Sequence, residues 1–196
     1  MQTPEEKIIA LDEALKLRHY GKCYEKKFPF VITNGCFDIL HRGHLEYLQK
    51  AKELAEPNGV LIVLINNDES VRRLKSIYGD QRPINNEKDR AYQLASLSCV
   101  DGVVICDLNL YSDDKNIGPR NNFAYEIYAL KPDIYVKGGD YNYDSLNYEE
   151  LTALQRVNAE IKFIPFVKGY STTNIIRKIK GSLCETDLSP FKHLNK

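Results

Sequence analysis

The sequence lacks any apolar run that approaches the length of a membrane span, and residues 1–16 lack the apolar segment that a secretory signal needs. It also lacks an excess of either charge, because its 196 residues include 27 basic and 27 acidic side chains. Without a general electrostatic attraction to nucleic acid or membranes, an anion site must be built from a few placed groups. We therefore expect a cytoplasmic protein whose partners are small molecules, with neither nucleic acid nor a membrane among them.

The cysteines form no pattern that indicates a metal site or a disulfide framework. None belongs to a C-x-x-C pair, and none lies near a histidine cluster at zinc-ligand spacing. The five isolated thiols are Cys23, Cys36, Cys99, Cys106 and Cys184. They indicate a reducing compartment, and we predict no metal site formed by dedicated protein ligands.

Short apolar runs alternate with helical patterns along most of the chain. The runs lie at residues 28–32, 60–65, 102–106, 133–136 and 161–166. Their continuous apolar character is typical of strands that are buried on both faces, as in parallel sheets. Helices are predicted at 4–20, around 68–74, at 87–97 and from 174 onward. This alternation predicts an α/β fold with a doubly wound, five-stranded parallel sheet and helices on both faces.

The chain divides into three parts by composition. Residues 28–182 contain all the predicted strands and form one domain, which a helical N-terminal extension at 1–27 precedes. Residues 183–196 form a polar C-terminal tail that we expect to be poorly ordered. Within the domain, residues 107–122 are rich in Asp, Asn, Ser and Gly and predict a long loop.

Each polar cluster with a possible function comes directly after a predicted strand. These clusters are residues 34–44, 66–68, 137–140 and 169–173. In doubly wound sheets, ligands bind outside the carboxyl ends of the strands, where the strand order reverses. We therefore expect the four clusters to converge on one crevice.

Residues 31–48 carry the most informative of these patterns. A strand runs into a turn at Asn34 and Gly35, and His41 and His44 then flank Gly43 where a helix begins. The open start of a helix presents unpaired N–H groups and a positive dipole, which suits polyphosphate. Short motifs also occur by chance, so a helix cap or a metal ligand is the alternative for these histidines.

Other residues in the clusters also have a structural alternative. For Asp38 we favour a role in ordering the loop through backbone N–H groups, because a bare carboxylate would repel phosphates. Lys137 has glycine neighbours that permit close approach of a ligand, but a solvated strand end is the alternative. The Ser171–Thr173 cluster fits both an anion site and an ordinary helix cap. We expect Cys36 to be a small packed residue without thiol chemistry.

Together, these motifs resemble those of a known enzyme family. Gly35-Cys36-Phe37-Asp38, Leu40-His41-x-Gly43-His44 and Ser171-Thr172-Thr173 are similar to motifs of the nucleotidyltransferase superfamily of cytidylyltransferases and adenylyltransferases. Further stretches resemble the adenylyltransferase domains of bacterial ADP-heptose synthases, in the same order: 67–75, 82–85, 89–90, 99–101, 131–133, 136–141 and 165–167. The resemblance implies a Rossmann-like nucleotidyltransferase domain at 28–182.

The resemblance also implies a role for each matched residue. His41 and His44 would contact the α and β phosphates of a nucleoside triphosphate, and Lys137 would lie near the α phosphate and the acceptor. Ser171, Thr172 and Thr173 would bind the β and γ phosphates, with Arg82 and Arg90 as further cationic contacts. Asn34, Gly35, Cys36 and Phe37 would line the nucleotide site. Asp140 would bridge to a metal or an acceptor hydroxyl, or else hold a turn.

The activity implied is transfer of AMP from ATP to a sugar 1-phosphate, specifically a heptose 1-phosphate, with release of pyrophosphate. Mg²⁺ is expected to enter bound mainly to the triphosphate. The resemblance also makes a homodimer an expectation. Two alternatives stay open: a cytidylyltransferase acting on glycerol 3-phosphate or another polyol or alcohol phosphate, and a non-catalytic nucleotide-binding regulatory protein. The tyrosines between 135 and 148 fit the wall of a sugar or base site, and fit a solvent-exposed edge equally well.

Overall fold

The computed structural model describes residues 2–23, 28–75, 82–108, 122–139, 141–165, 167 and 169–186. The strands in this part of the chain are β1 (Phe30–Gly35), β2 (Val60–Asn66), β3 (Gly102–Cys106), β4 (Ile134–Gly138) and β5 (Glu160–Ile164). The helices are α1 (Pro4–Lys7), α2 (Leu11–Cys23), α3 (Arg42–Glu53), α4 (Asp68–Lys75), α5 (Glu87–Ala95), α6 (Ala124–Leu130), α7 (Tyr148–Arg156) and α8 (Thr172–Thr186). One 3₁₀ turn, Tyr143–Ser145, precedes α7.

The five strands form one parallel sheet in the order β3-β2-β1-β4-β5. From β1 the chain moves outward through β2 to β3, and it then returns to the other side of β1 to form β4. The strand order therefore reverses between β1 and β4, which confirms the predicted doubly wound sheet. The carboxyl ends of β1 and β4 mark the place where such sheets bind ligands.

Alternate residues of each central strand pack into two separate cores. In β2, Leu61, Val63 and Ile65 face a core with α3 and α5. Ile62 and Leu64 face the opposite core, to which α2, α6 and α7 contribute side chains. Because successive side chains of a strand point to opposite faces, a sheet covered on both sides requires a continuous apolar run. The prediction of helices on both faces is confirmed.

The single helix predicted for residues 4–20 is wrong. The chain forms α1 and α2, with an extended break between them at residues 8–10. Ile8 pairs with Val103 in a parallel bridge, and the backbone N–H of Ile9 donates to the Val103 carbonyl at 2.9 Å. Pairing with the edge strand β3 satisfies backbone groups that would otherwise face solvent, and this outweighs helix continuation.

Several element boundaries also differ from the prediction. Strand β1 begins at Phe30, not residue 28, and its pairing continues to Gly35. Helix α8 continues to Thr186, so residues 183–186 are helical although the sequence predicted a polar tail there. Most of the loop predicted at 107–122 and the rest of the tail lie outside the described residues. No described helix combines the length and apolar character that a membrane span requires.

Candidate active site

Three of the four predicted polar clusters meet at the carboxyl ends of β1 and β4. Asn34 lies at the end of β1 and Lys137 at the end of β4. The start of α8 closes the site from a third side, since the Thr172 hydroxyl donates to the Ile39 carbonyl at 3.4 Å. The ring of Tyr170 lies 6.3 Å from that of His41. The structure therefore brings the β1 loop, the end of β4 and the start of α8 to one crevice.

His41 is the N-cap of α3, and its ring stacks on that of His44. Its Nδ1 accepts a hydrogen bond from the His44 backbone N–H at 3.4 Å, and the ring centroids are 3.8 Å apart. The cap role considered from the sequence is therefore present. Since Nδ1 serves the cap, Nε2 is the nitrogen of His41 that a ligand would meet.

Gly43 permits this close stacking of the two histidines. A Cβ atom at this position would lie 3.1 Å from Nδ1 of His41 and 3.2 Å from Cβ of Tyr170. Both distances are tighter than ordinary van der Waals contact, and Gly43 is buried. A side chain at position 43 would therefore push the imidazole of His41 or the start of α8 out of place.

His44 is largely enclosed, and its Nδ1 has no hydrogen-bond partner among the described residues. Burial, with smaller contributions from the nearby His41 and Arg82, lowers the pKa of His44 to about 4. The backbone of Ile39 acts in the opposite direction but does not compensate. An anion bound beside the ring would favour its protonated form.

Lys137 is held by three oxygen atoms at the end of β4. Its Nζ donates to Asn34 Oδ1 at 2.8 Å, to the Tyr135 hydroxyl at 3.1 Å and to Glu150 Oε2 at 3.3 Å. The Tyr141 ring centroid lies 5.1 Å from the ammonium. The side chain is only 13% exposed, so the alternative of a solvated strand end does not hold.

The chain matches a known family over most of its length. Residues 32–178 match the family described as cytidylyltransferase-like. The chain belongs to the cytidylyltransferase-like family. The matched range contains the β1 loop with both histidines, Lys137 and the start of α8.

Curated relatives agree with this assignment, and a solved structure shares the fold. The chain is 46% identical over 177 residues to the bifunctional protein HldE of Campylobacter fetus subsp. fetus, with 90% of this chain and 32% of the relative covered. It is 51% identical over 174 residues to that of Helicobacter pylori strain J99, with 89% of this chain and 31% of the relative covered. The chain thus spans about a third of these relatives. A macrolide-efflux protein from Streptococcus pneumoniae shares the fold, with a TM-score of 0.54 and 23% identity over 77% of this chain and 52% of that one.

In this cytidylyltransferase-like site, Asp38 orders the loop as the sequence indicated. Its buried carboxylate accepts from the backbone N–H groups of Ile84 at 2.8 Å and Asn85 at 2.9 Å. It also forms a close ion pair with Arg82, whose side chain is 8% exposed. Arg82 is close enough to His44 to lower the pKa of that ring, but the Nε of Arg82 is already paired with Asp38.

Arg90 lies beneath the site, not in it. Its side chain is fully buried and donates to the carbonyls of Asn85, Cys36 and Asn66 at 2.7–3.1 Å. A further bond reaches the Asp68 carboxylate at 2.9 Å. All three guanidinium nitrogens are therefore engaged within the protein, and the phosphate contact predicted for Arg90 has no exposed donor to form it.

The loop after β1 is tightly wound around Gly35. Phe37 has a positive φ of 44°, and its ring would lie 3.0 Å from a Cβ atom added to Gly35. The Phe37 ring also contacts His44, with the ring centroids 5.2 Å apart. The Cys36 thiol lies 3.6 Å from Asn66 Oδ1, and burial raises its pKa. A thiol that stays protonated agrees with the packing role expected for Cys36.

The start of α8 has the geometry of a capped helix. Ser171 accepts from the Asn174 backbone N–H through its side chain at 3.1 Å, which is the cap alternative considered from the sequence. Thr172 is nearly buried and Thr173 half-buried. Asp140 lies outside the described residues, and so does the contact predicted for it. In the described part of the chain, no group of three or more His, Cys, Asp or Glu side chains is placed to hold a metal ion.

The sequence analysis missed Glu150, and it considered Tyr135 only as one of several tyrosines that fit a ligand wall or an exposed edge. Both contact Lys137, and both are almost fully buried. A local signal for Glu150 did exist, since it shares the buried face of α7 with Ala153 and Leu154. A carboxylate at that helical spacing from apolar residues indicates a buried, partnered charge.

Proposed function

We propose that this cytidylyltransferase-like chain transfers a nucleotidyl group from a nucleoside triphosphate to the phosphate of a sugar 1-phosphate and releases pyrophosphate. The observation that carries the proposal is the stacked pair of His41 and His44 at the start of α3, beside the start of α8. Two helix starts and two imidazoles at one crevice offer N–H donors from two directions. A triphosphate is an anion long enough to use both.

The reaction needs positioning and charge stabilisation more than it needs a base. The acceptor phosphate is already anionic near neutral pH, so it attacks the α phosphorus without giving up a proton to the enzyme. Negative charge then builds on the equatorial oxygens and on the departing pyrophosphate. Donors from His41, His44 and Lys137 would stabilise that charge where it develops.

The carboxylates near the crevice favour direct transfer over a covalent enzyme intermediate. Asp38 is held by Arg82 and by two backbone N–H groups. Glu150 is held by Lys137, Tyr135 and other donors, and is 4% exposed. A carboxylate nucleophile needs a free, accessible oxygen, which neither side chain offers.

The substrate within this class is proposed as ATP with a heptose 1-phosphate, on the resemblance of the motifs to ADP-heptose synthase domains. ATP would enter as its Mg²⁺ complex, since the phosphate oxygens are the hard ligands that this ion prefers. The ring of Tyr141 beside Lys137 fits one wall of the acceptor site.

We place the reaction in the cytoplasm. The homodimer stays a prediction, which light scattering on the purified protein checks.

A substrate panel tests the proposal. Pyrophosphate release is measured for each of the four nucleoside triphosphates against heptose 1-phosphate, hexose 1-phosphates and glycerol 3-phosphate, with His44→Ala and His19→Asn for comparison. We expect release with ATP and heptose 1-phosphate, lost in His44→Ala and retained in His19→Asn, whose imidazole is exposed. Release only with CTP and glycerol 3-phosphate would overturn the substrate assignment. Nucleotide binding without release from any acceptor would indicate the regulatory alternative.

A further inference from the structure

We propose that Glu150 is the positioning residue that holds Lys137 at the crevice. This inference deepens the proposed function and rests on it, because Lys137 matters for the reaction only if phosphates bind beside it. Glu150 comes from α7, far along the chain from the β1 loop, and lies in none of the motifs that indicated the site.

The carboxylate of Glu150 is fully engaged by four donors. Oε2 accepts from the Tyr135 hydroxyl at 2.9 Å and from Lys137 Nζ at 3.3 Å. Oε1 accepts from the Phe123 backbone N–H at 3.1 Å and from Asn34 Nδ2 at 3.3 Å. The position of Glu150 is therefore fixed independently of Lys137, by groups on β4, on β1 and at the start of α6. A side chain fixed in this way can orient its partner.

Lys137 needs such a partner because its ammonium is largely removed from water. Its other two hydrogen-bond acceptors, the Asn34 amide oxygen and the Tyr135 hydroxyl, are neutral. Glu150 is the anion that offsets the cost of burying the charge. A lysine has a flexible four-carbon stem, so three fixed acceptors also define where its ammonium lies.

The arrangement leaves one bond that a phosphate can replace. The three acceptors take up the three protons of the ammonium, and the contact with Glu150 is the longest of the three. An arriving phosphate oxygen would take over that proton, while Asn34 and Tyr135 keep the ammonium in place. Glu150 thus pre-organises Lys137 without touching the substrate, and pre-organisation of this kind lowers the barrier to transfer.

The first test measures how accessible the Lys137 amine is to a reagent, and it does not require enzymatic turnover. Acetylation of Lys137 by a water-soluble ester at pH 8 is followed by mass spectrometry in the wild type, in Glu150→Gln and in Glu149→Gln. Glu149 is the matched control, since it is exposed on the same turn of α7 and contacts Asn122, not Lys137. We expect Lys137 to react at least about 5-fold faster in Glu150→Gln and at the wild-type rate in Glu149→Gln. Equal rates in all three proteins would overturn the proposal.

The second test separates positioning from folding and from substrate binding. In Glu150→Gln we expect kcat to fall about 10- to 100-fold while KM for ATP changes less than about 3-fold, since misplacement by about 1 Å has effects of this size. Glu150→Asp keeps the charge with a shorter reach, and it is expected to recover part of kcat. A folded Glu150→Gln protein with wild-type kcat would contradict the positioning role. If the wild type showed no activity but Lys137 were still acetylated faster in Glu150→Gln than in the wild type, only the proposed function would be overturned.

Discussion

The imidazole of His44 lies flat against that of His41, with the ring planes inclined by 16° and the centroids 3.8 Å apart. Two protonated rings at this distance would repel each other strongly, and burial lowers the pKa of both. The pKa of about 4 for His44 makes this ring neutral at pH 7 in the free protein. The pair is thus ready to donate N–H bonds to a phosphate without carrying two positive charges.

The buried His44 should make folding sensitive to acid. Its pKa rises from about 4 in the folded protein to 6.5 when unfolded, so the unfolded chain binds more protons at low pH. The stability that the neutral ring contributes is complete above about pH 6.5 and is lost progressively toward pH 4, by about 3 kcal/mol at most. Urea unfolding of wild type, His44→Asn and His19→Asn at pH 7 and pH 4.5 measures this loss of stability. The difference in unfolding free energy between the two pH values should be smaller only in His44→Asn. The same difference in His44→Asn as in the wild type would contradict a low pKa for His44.

The stacking should fail if position 43 gains a side chain. Gly43→Ala is expected to lower kcat/KM about 10- to 100-fold, because its Cβ would displace the His41 ring. Stability should change by less than about 1 kcal/mol, since alanine favours the helix and offsets part of the crowding. Gly181→Ala in α8 is the control, because nothing lies within 4 Å of its Cβ. Full activity in Gly43→Ala would show that the close packing is not required.

Asp38 should contribute mainly to stability through its ion pair with Arg82. In Asp38→Asn the guanidinium stays buried without a counter-charge, which is expected to cost about 3–5 kcal/mol of the free energy of unfolding. Removing both charges in Asp38→Asn with Arg82→Met should cost less than the sum of the two single changes. Urea denaturation measures all three variants. If the loss of unfolding free energy in the double variant equalled the sum of the two single losses, a direct interaction between Asp38 and Arg82 would be contradicted.

Strands were predictable because the sheet imposes a strong local pattern. A parallel sheet covered on both faces requires continuous apolar runs, so β3 was predicted with its observed bounds and β2 to within one residue. Helices α6 and α7 were not identified, since exposed tyrosines such as Tyr128 and Tyr148 interrupt the polar face that marks a surface helix. The pairing of Ile8 with Val103 depends on a strand far along the chain.

Site residues also differ in whether their position depends on neighbouring residues or on residues far along the chain. His41, His44 and Ser171 could be predicted because a glycine and a helix start are signals within a few residues. The partners of Arg90 and Glu150 could not, because they are carbonyls and donors on other strands and helices. A charged residue in the sequence looks the same whether it binds a ligand or holds two strand ends together.

Arg90 should therefore behave as a structural residue. Arg90→Met leaves the carbonyls of Cys36, Asn66 and Asn85 without their donor, and the expected loss is about 3–5 kcal/mol of stability. KM for ATP of the folded fraction should stay within about 3-fold of wild type. Arg72→Met on α4, an exposed arginine, serves as the control. A stable Arg90→Met protein with a KM raised tenfold would instead place Arg90 in contact with the nucleotide.

In the proposed reaction, the acceptor phosphate attacks the α phosphorus of ATP. The most direct measurement follows two samples of ATP, radiolabelled at the α or the γ phosphorus, incubated with heptose 1-phosphate and Mg²⁺. We predict α label in a nucleotide-activated sugar and γ label in pyrophosphate, with both rates reduced at least about 100-fold in His44→Ala. Label from the γ position in the sugar product, or α label recovered only as ADP, would contradict it.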